Sequence, residues 1–520
     1  MEQREEKNAR MQAPMIDRSV SFEANGELLL PDYLGEISRL LRISPTVYPA
    51  EQYINGANAE FVGRLCFDVL YAGADGRLYC AQSEEGYAFS VPTDGESEYS
   101  FSVDVMPEVV VGRVAAPRKL TLRCKLRAHV AGFADQELCA RLAPEIEDRV
   151  CMLGAAVECG RVRMATGEQT DLYGEIETRP EEELGVIAMR AEPFVTDVSA
   201  IPGGVRCRGE VIATLLCSRG GTVDASADAE ETDAVGPAFT LTQRIPLECE
   251  VPLEGAGGAD GARARVTVSS LHHTVESGRI SLAMRVLPQV EVQSCETLYY
   301  TKDLFMPHMK SECRYVTGRA QRPRFCANRN YSVSDSFARA ALLLPAGAAV
   351  VDAHADAEVK ETRAEGKSTL LIGEVHCHIL HRQDREWGTC EATVPFRVSV
   401  DGQADSVIAT ATAPICRVQE EGDRVRVDAE LLLSLRGSSE QEICYVEGAA
   451  FEPRETERRT DLEFCCPAAG ESLWALGRRY ALDPAAIARA NGLDVDDFSD
   501  SAALGRVQYL MMPQGEEPCR

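Results

Sequence analysis

Apolar and polar residues alternate with a period of two along three widely separated stretches, each opened by a glycine. They read Gly63-RLCFDVLY, Gly209-EVIATLLC and Gly373-EVHCHILH. Aligned on the glycine, one face collects Leu65, Phe67, Val69 and Tyr71, then Val211, Ala213, Leu215 and Cys217, then Val375, Cys377, Ile379 and His381. The opposite face is mixed, with Cys66 and Asp68, Ile212 and Thr214, His376 and His378. Such alternation predicts a strand with one buried face. A second strand pattern follows each, beginning Arg118-KLTLRC, Arg279-ISLAMR and Arg424-VRVDAE. The distance from glycine to first apolar residue is 57 (Gly63 to Leu120), 71 (Gly209 to Ile280) and 52 (Gly373 to Val425). Between the two lies a shorter match, Tyr87-AFSV, Arg244-IPLE and Pro395-FRVSV. Recurrence in a constant order identifies a repeated unit.

The expected fold is mainly β, with three repeated antiparallel, sandwich-like domains at residues 35–137, 196–294 and 336–455. Residues 138–195 and 295–335 lack sustained alternation and are expected as connectors, and 1–34 as a weakly ordered tail. Pro31-DYLGEISRLLRI is expected to contain a short helix. The Gly-, Ala- and Asp-rich stretches Ser218-RGGTVDASADAEETDAVG and Glu254-GAGGADGARA read as loop insertions.

From about Leu462 the period changes. A short strand, Phe464-CC, turns at Gly470 and enters a helix for which Ser472 is the N-cap, with Leu473, Leu476 and Tyr480 as its apolar stripe. A second helix starts at Asp483-Pro484 and is closed by Asn491-Gly492. A turn and a final strand follow in Leu504-GRVQYLMMP.

This strand–GESLW–helix–AxxNGL–LGxxxxxP order resembles a LysM module, a small βααβ fold, over residues 460–516. The residues that match are Gly470, Glu471, Ser472, Leu473, Trp474, Tyr480, Ile487, Asn491, Gly492, Leu493, Leu504, Gly505 and Pro513. Glu471 stands where many such modules carry aspartate, and QYLMMP departs slightly from the usual second strand. Three glycine-led β repeats with a terminal LysM resemble the SipL-type spore-envelope proteins, whose repeats are called SPOCS domains. The resemblance covers most of residues 35–516. It implies a non-enzymatic scaffold of coat morphogenesis, at the forespore surface on the cytoplasmic, mother-cell side. It also implies a LysM that contacts the coat-base ATPase. LysM modules elsewhere bind N-acetylglucosamine polymers through two loops, which here correspond to Gly470, Glu471, Ser472 and Leu473 and to Asn491, Gly492 and Leu493. The alternative implied is therefore a peptidoglycan-binding cell-wall protein.

Composition narrows the partners. With 54 basic and 82 acidic residues the 520-residue chain carries a net charge of −28, which opposes binding to nucleic acid and to anionic membrane surfaces. No apolar run follows the mixed-charge N-terminus, so no secretory signal is expected. The most apolar stretch, Ala338 to Val351, is too short to insert in a membrane. The 19 cysteines show no CxxC or CxxxxC spacing and read as buried thiols. Cross-linking in a finished layer is their alternative role.

No catalytic set, metal site or cofactor is expected. His376 and His378 share a strand face that Cys377 does not, so they are poorly placed to ligate one metal with it. Gly366-Lys367-Ser368-Thr369 lacks the first glycine of a phosphate loop and precedes a strand. An enzyme with an unrecognised site would need a pocket of convergent ionisable groups. Trp474, beside Leu473, is expected to pack in the module's core in preference to forming a sugar platform.

Overall fold

A computed structural model describes residues 10–138, 149–179, 184–219, 238–384, 386–453, 463–495, 497–505 and 507–513. Residues 220–237 of the first loop stretch lie outside the described residues. The fold is mainly β. Strands β1 (Arg10–Leu29), β2 (Ile37–Val47), β3 (Glu51–Asn55), β4 (Asn58–Gly73), β5 (Leu78–Pro92), β6 (Tyr99–Ala116) and β7 (Lys119–Glu137) make two antiparallel sheets. One has the order β1-β7-β6. In the other β4 is central, with β5 along one side and β2 and β3 end to end along the other. A shared core that includes Phe61, Phe67, Tyr71, Leu120 and Leu126 fills the space between them.

The connectivity then recurs. Strands β8 (Cys151–Thr166), β9 (Thr170–Glu177), β10 (Leu184–Ile201), β11 (Gly204–Arg219), β12 (Phe239–Pro252), β13 (Gly261–Glu276) and β14 (Arg279–Phe305) follow. They place β10-β11-β12 in one sheet, and β8 and β9 beside the β13-β14 hairpin in the other. Strands β15 (Met309–Ala338), β16 (Ala349–Glu365), β17 (Ser368–Gln383), β18 (Glu386–Asp401), β19 (Ser406–Glu421) and β20 (Arg424–Pro453) form β16-β17-β18 and β19-β20-β15, and a short parallel pairing of β15 with β13 joins the latter to the β13-β14 sheet as one seven-stranded sheet. In each sandwich a leading strand pairs with the last strand, and a meander between them builds the opposing sheet.

The three glycine-led stretches are the central meander strands β4, β11 and β17. The second set is the last strands β7, β14 and β20, and the short matches are β5, β12 and β18. Their predicted faces are buried: Leu65, Phe67, Val69 and Tyr71 are fully so, as are Val211, Val375, Cys377 and Ile379. The leading glycine has a steric cause. A Cβ on Gly63 would fall 2.3 Å from the Tyr87 ring, and one on Gly373 would fall 2.3 Å from the Phe396 ring, each ring belonging to its cross-strand partner.

The expected boundaries need correction. The supposed tail from Arg10 onward is β1, paired with β7 over its whole length. The stretches 138–195 and 295–335, expected as connectors, carry β8, β9, most of β10, the end of β14 and most of β15. The sandwiches therefore run 10–137, 151–305 and 309–453. The helix expected near Pro31 is absent, since Ile37–Val47 is strand. Two register shifts in β2, at Ile37/Arg39 and Leu40/Arg42, break its alternation and imitate helical spacing.

Like sheets meet like sheets where the sandwiches join. The meander sheets contribute Leu41, Leu70 and Leu78, then Leu216, then Leu380 and Trp387 to one apolar cluster. Beside it Asp352 of β16 accepts from Arg42 of β2 (2.9 Å) and from both terminal nitrogens of Arg190 of β10 (2.8 and 2.9 Å). The other sheets meet around Glu291 of β14. Its carboxylate accepts from Arg263 (2.8 Å) and from Ser102 of β6 (2.8 Å), and ion-pairs with Arg436 of β20 (2.9 Å). Arg263 also donates to Asp104 of β6 at 3.2 Å. Each cluster draws one charged or polar side chain or more from all three sandwiches. No helix among the described residues is long and apolar enough to cross a membrane.

Candidate functional site

The C-terminal segment is built from β21 (Glu463–Cys465), α1 (Leu473–Tyr480), α2 (Pro484–Ala490) and β22 (Leu510–Met512), with β21 antiparallel to β22. Ser472 accepts from Ala475 N at 3.2 Å and Asp483 from Ala485 N at 2.9 Å, so both helices start at side-chain caps. Leu473, Leu476, Ile487 and Leu510 are fully buried in a small core, against which Tyr480 and Leu493 pack.

The seven candidate residues lie on two loops of this core, Leu473 already opening α1, and most of their side chains are already engaged. Glu471 accepts from Ala468 N at 2.9 Å and pairs with Arg479 at 2.9 Å. Ser472 is spent on its cap and Leu473 is inside the core. Asn491 donates to Ile487 O and Met511 O at 2.8 Å each and accepts from Met511 N at 2.7 Å, stitching α2 to β22. Leu493 is half-buried in the core, and its N–H closes α2 onto Ala488 O at 3.0 Å. Gly470 and Gly492 are exposed, with φ of 80° and 63°, in the left-handed region that favours glycine. What these loops offer to a ligand is therefore backbone and shape.

Two features of the site were not legible in the motif. Phe464 and Tyr509 stand 55% and 64% exposed, their ring centroids 5.9 Å apart and nearly perpendicular. Phe464 is the register partner of Met511, the residue that Asn491 holds. The outer face of the two-stranded sheet thus carries an aromatic pair next to the Asn491 loop, whereas its inner partners Cys465 and Leu510 are buried.

The second feature is the seat of the module on the sandwiches. Trp474 is 7% exposed, but it does not belong to the module's own core. Its ring meets Phe305 edge-on, with centroids 5.0 Å apart, and its Nε1 donates to Asp303 at 2.8 Å. Arg478, one turn further along α1, also bonds Asp303 and donates to the Tyr315 hydroxyl at 2.8 Å. Burial, together with the bond to Asp303, pushes the Tyr315 phenol up to about 12. The His308 N–H donates to Ala481 O at 3.0 Å. Trp474 is thus an anchor between domains, where it was expected as core.

Substituting Asp303→Ala removes the acceptor of both Trp474 and Arg478. The expected cost is about 1.5–3 kcal/mol of docking free energy, the range for hydrogen bonds to charged groups. Tryptophan emission reads it: Trp474 becomes wetter and the spectrum shifts to longer wavelength, while Trp387 remains as a constant background. An unshifted spectrum means that Asp303 does not hold the module.

His376 and His378 are partly exposed on one face of β17, and Cys377 points to the core, as the alternation requires. Gly366 sits at a turn with φ 61° just before β17. Compared with known proteins, the chain matches no family model, no curated protein and no solved structure.

Proposed function

We propose that this chain is a non-enzymatic adaptor of the spore envelope, with three SPOCS-like β domains carrying a LysM-like module that docks to the coat-base ATPase at the forespore surface. The observation that carries this reading is the lead–meander–hairpin connectivity, used three times and followed by a βααβ module. The mode of attachment supports it. Trp474 and Arg478 commit one side of α1 to the sandwiches, leaving Phe464, Tyr509 and the Gly470 and Gly492 loops facing outward. Aromatic side chains on a rigid support are the type of group that dominates protein interfaces. Additional faces on the β domains would add avidity to a modest module contact.

The test is binding of the purified full chain to the purified coat-base ATPase, by biolayer interferometry. The double substitution Phe464→Ser/Tyr509→Ser is expected to cost about 2 kcal/mol or more, roughly a 30-fold loss of affinity, with the fold retained. A chain that ignores the ATPase but pellets with peptidoglycan belongs to the glycan-binding class.

A further inference from the structure

A cleft of about 700 Å³ opens between the second and third sandwiches. It is walled by β10, β11 and β12 on one side and by β16 and β19 on the other, and its lining includes Arg190, Asp352, His354 and Cys416. Nothing in the adaptor reading uses it. Cys416 is partly buried on β19, and its Sγ lies 3.2 Å from the Sγ of Cys377, which is fully buried on β17. The two strands belong to opposite sheets of the third sandwich. Cys416 thus stands between the two: it is one of the residues that line the cleft, and its side chain packs against the core in which Cys377 is buried.

We propose that Cys416 and Cys377 form an oxidisable dithiol, reached through this cleft by a small hydroperoxide and converted to a disulfide that joins the two sheets of the third sandwich. The arrangement supplies the three things such a site needs: an attacking cysteine at the wall of a cleft, a resolving sulfur in contact with it, and nearby cations. The cations are Arg190, bonded to Asp352, and His354, which lies 3.1 Å from Glu192 and 3.6 Å from Asp356. Burial opposes charge on His354, but Asp356 and Glu192 outweigh it and raise the imidazolium to about 9. The hydrogen bond from Cys377, with His354 and Arg190 beside it, favours the Cys416 thiolate. That same bond, and burial, keep Cys377 protonated.

The chemistry balances with hydrogen peroxide as oxidant. The Cys416 thiolate attacks one peroxide oxygen; an S–O bond forms, the O–O bond breaks, and the leaving hydroxide takes a proton to become water. The Cys377 sulfur then attacks the sulfenic sulfur; the S–S bond forms, the S–O bond breaks, and a second water leaves. Two thiols give up two electrons and two protons, and one peroxide becomes two waters. Starting sulfurs 3.2 Å apart need to close by about 1 Å to reach a disulfide bond length near 2.05 Å.

The full chain offers internal controls. Cys295, Cys444 and Cys466 are exposed, and Cys207 and Cys249 face each other across β11 and β12 but are both buried. The experiment treats the folded 520-residue chain with hydrogen peroxide, blocks remaining thiols with iodoacetamide and maps tryptic peptides by mass spectrometry. Trypsin separates Cys377 (residues 368–382), Cys390 (386–397) and Cys416 (398–417). The expected product is a cross-link between 368–382 and 398–417, formed ahead of any Cys207–Cys249 link and reversed by dithiothreitol. In Cys377→Ser, Cys416 is expected to accumulate as a sulfenic acid that dimedone traps, and in Cys416→Ser, Cys377 stays a free thiol. A rise in the melting midpoint of the oxidised wild type, lost on reduction, reports the joined sheets. The proposal is overturned if Cys377 and Cys416 stay alkylatable while the exposed cysteines oxidise, or if Cys377 pairs with Cys390.

Discussion

Glu291→Leu is expected to destabilise the protein by about 3–5 kcal/mol, the cost of removing one partner from a buried ion cluster. The substitution leaves Arg263 and Arg436, both almost fully buried, facing each other without the carboxylate that neutralises them. It also strips Ser102 of the oxygen to which it donates. Because the cluster spans three sandwiches, the loss falls on their association as well as on β14. Urea midpoints by circular dichroism measure it. Glu291→Gln, which keeps the shape, separates lost charge from lost packing.

The same carboxylate gives a pH signature. Burial alone would raise Glu291, but the Arg263 and Arg436 charges and the hydrogen bonds from Arg263 and Ser102 outweigh it and hold it at about 2. A depressed carboxyl contributes stability that is complete above its unfolded value, here 4.5, and is lost as pH falls through about 2. Wild-type stability should therefore decline between those limits, and Glu291→Gln should decline less steeply. Equal slopes would remove Glu291 as a source of acid sensitivity.

Asp352→Ala is the second large effect, again about 3–5 kcal/mol by the same reasoning. Asp352 is buried, and burial opposes its charge, yet Arg190 and Arg42 hold it well below the ordinary carboxylate range. Alanine leaves two guanidiniums pointing into one cavity from different sandwiches. Calorimetry is expected to show the unfolding transition broaden or split, because the meander sheets lose the charge that joins them. Replacing all three as Arg42→Met, Arg190→Met and Asp352→Leu is expected to restore most of the stability, since an apolar set needs no desolvation of ions. If Asp352→Ala melts as the wild type does, the cluster is not what couples the sandwiches.

The strands legible in the sequence are those with a sandwich core on one face. Central strands such as β4 and β17 turn every second side chain into a sandwich core, and that selection writes itself as period two. The leading strands were missed for the opposite reason. β1 and β15 pair along their whole length through backbone groups, which any sequence supplies, while much of their side-chain surface stays exposed. In the C-terminal module the caps at Ser472 and Asp483 and the turns at Gly470 and Gly492 were readable, because each is a local hydrogen bond or a local φ. That the candidate side chains are spent holding the loops was not readable, since Asn491 works by bonding Met511 across the fold.

By itself, then, the sequence determined the class of fold, the buried face of each central strand and the helix boundaries near the C-terminus. These are short-range matters of alternation, capping and steric allowance. Only the tertiary structure decided which charges are buried and which aromatics face outward. Arg42 and Asp352 are 310 residues apart, and in a chain with 82 acidic residues nothing local distinguishes Asp352 from a solvated one. Trp474 likewise became an anchor because Asp303 and Phe305, about 170 residues earlier, end a strand at its ring. Such roles come from desolvation and partnership, which exist only once the sandwiches have packed.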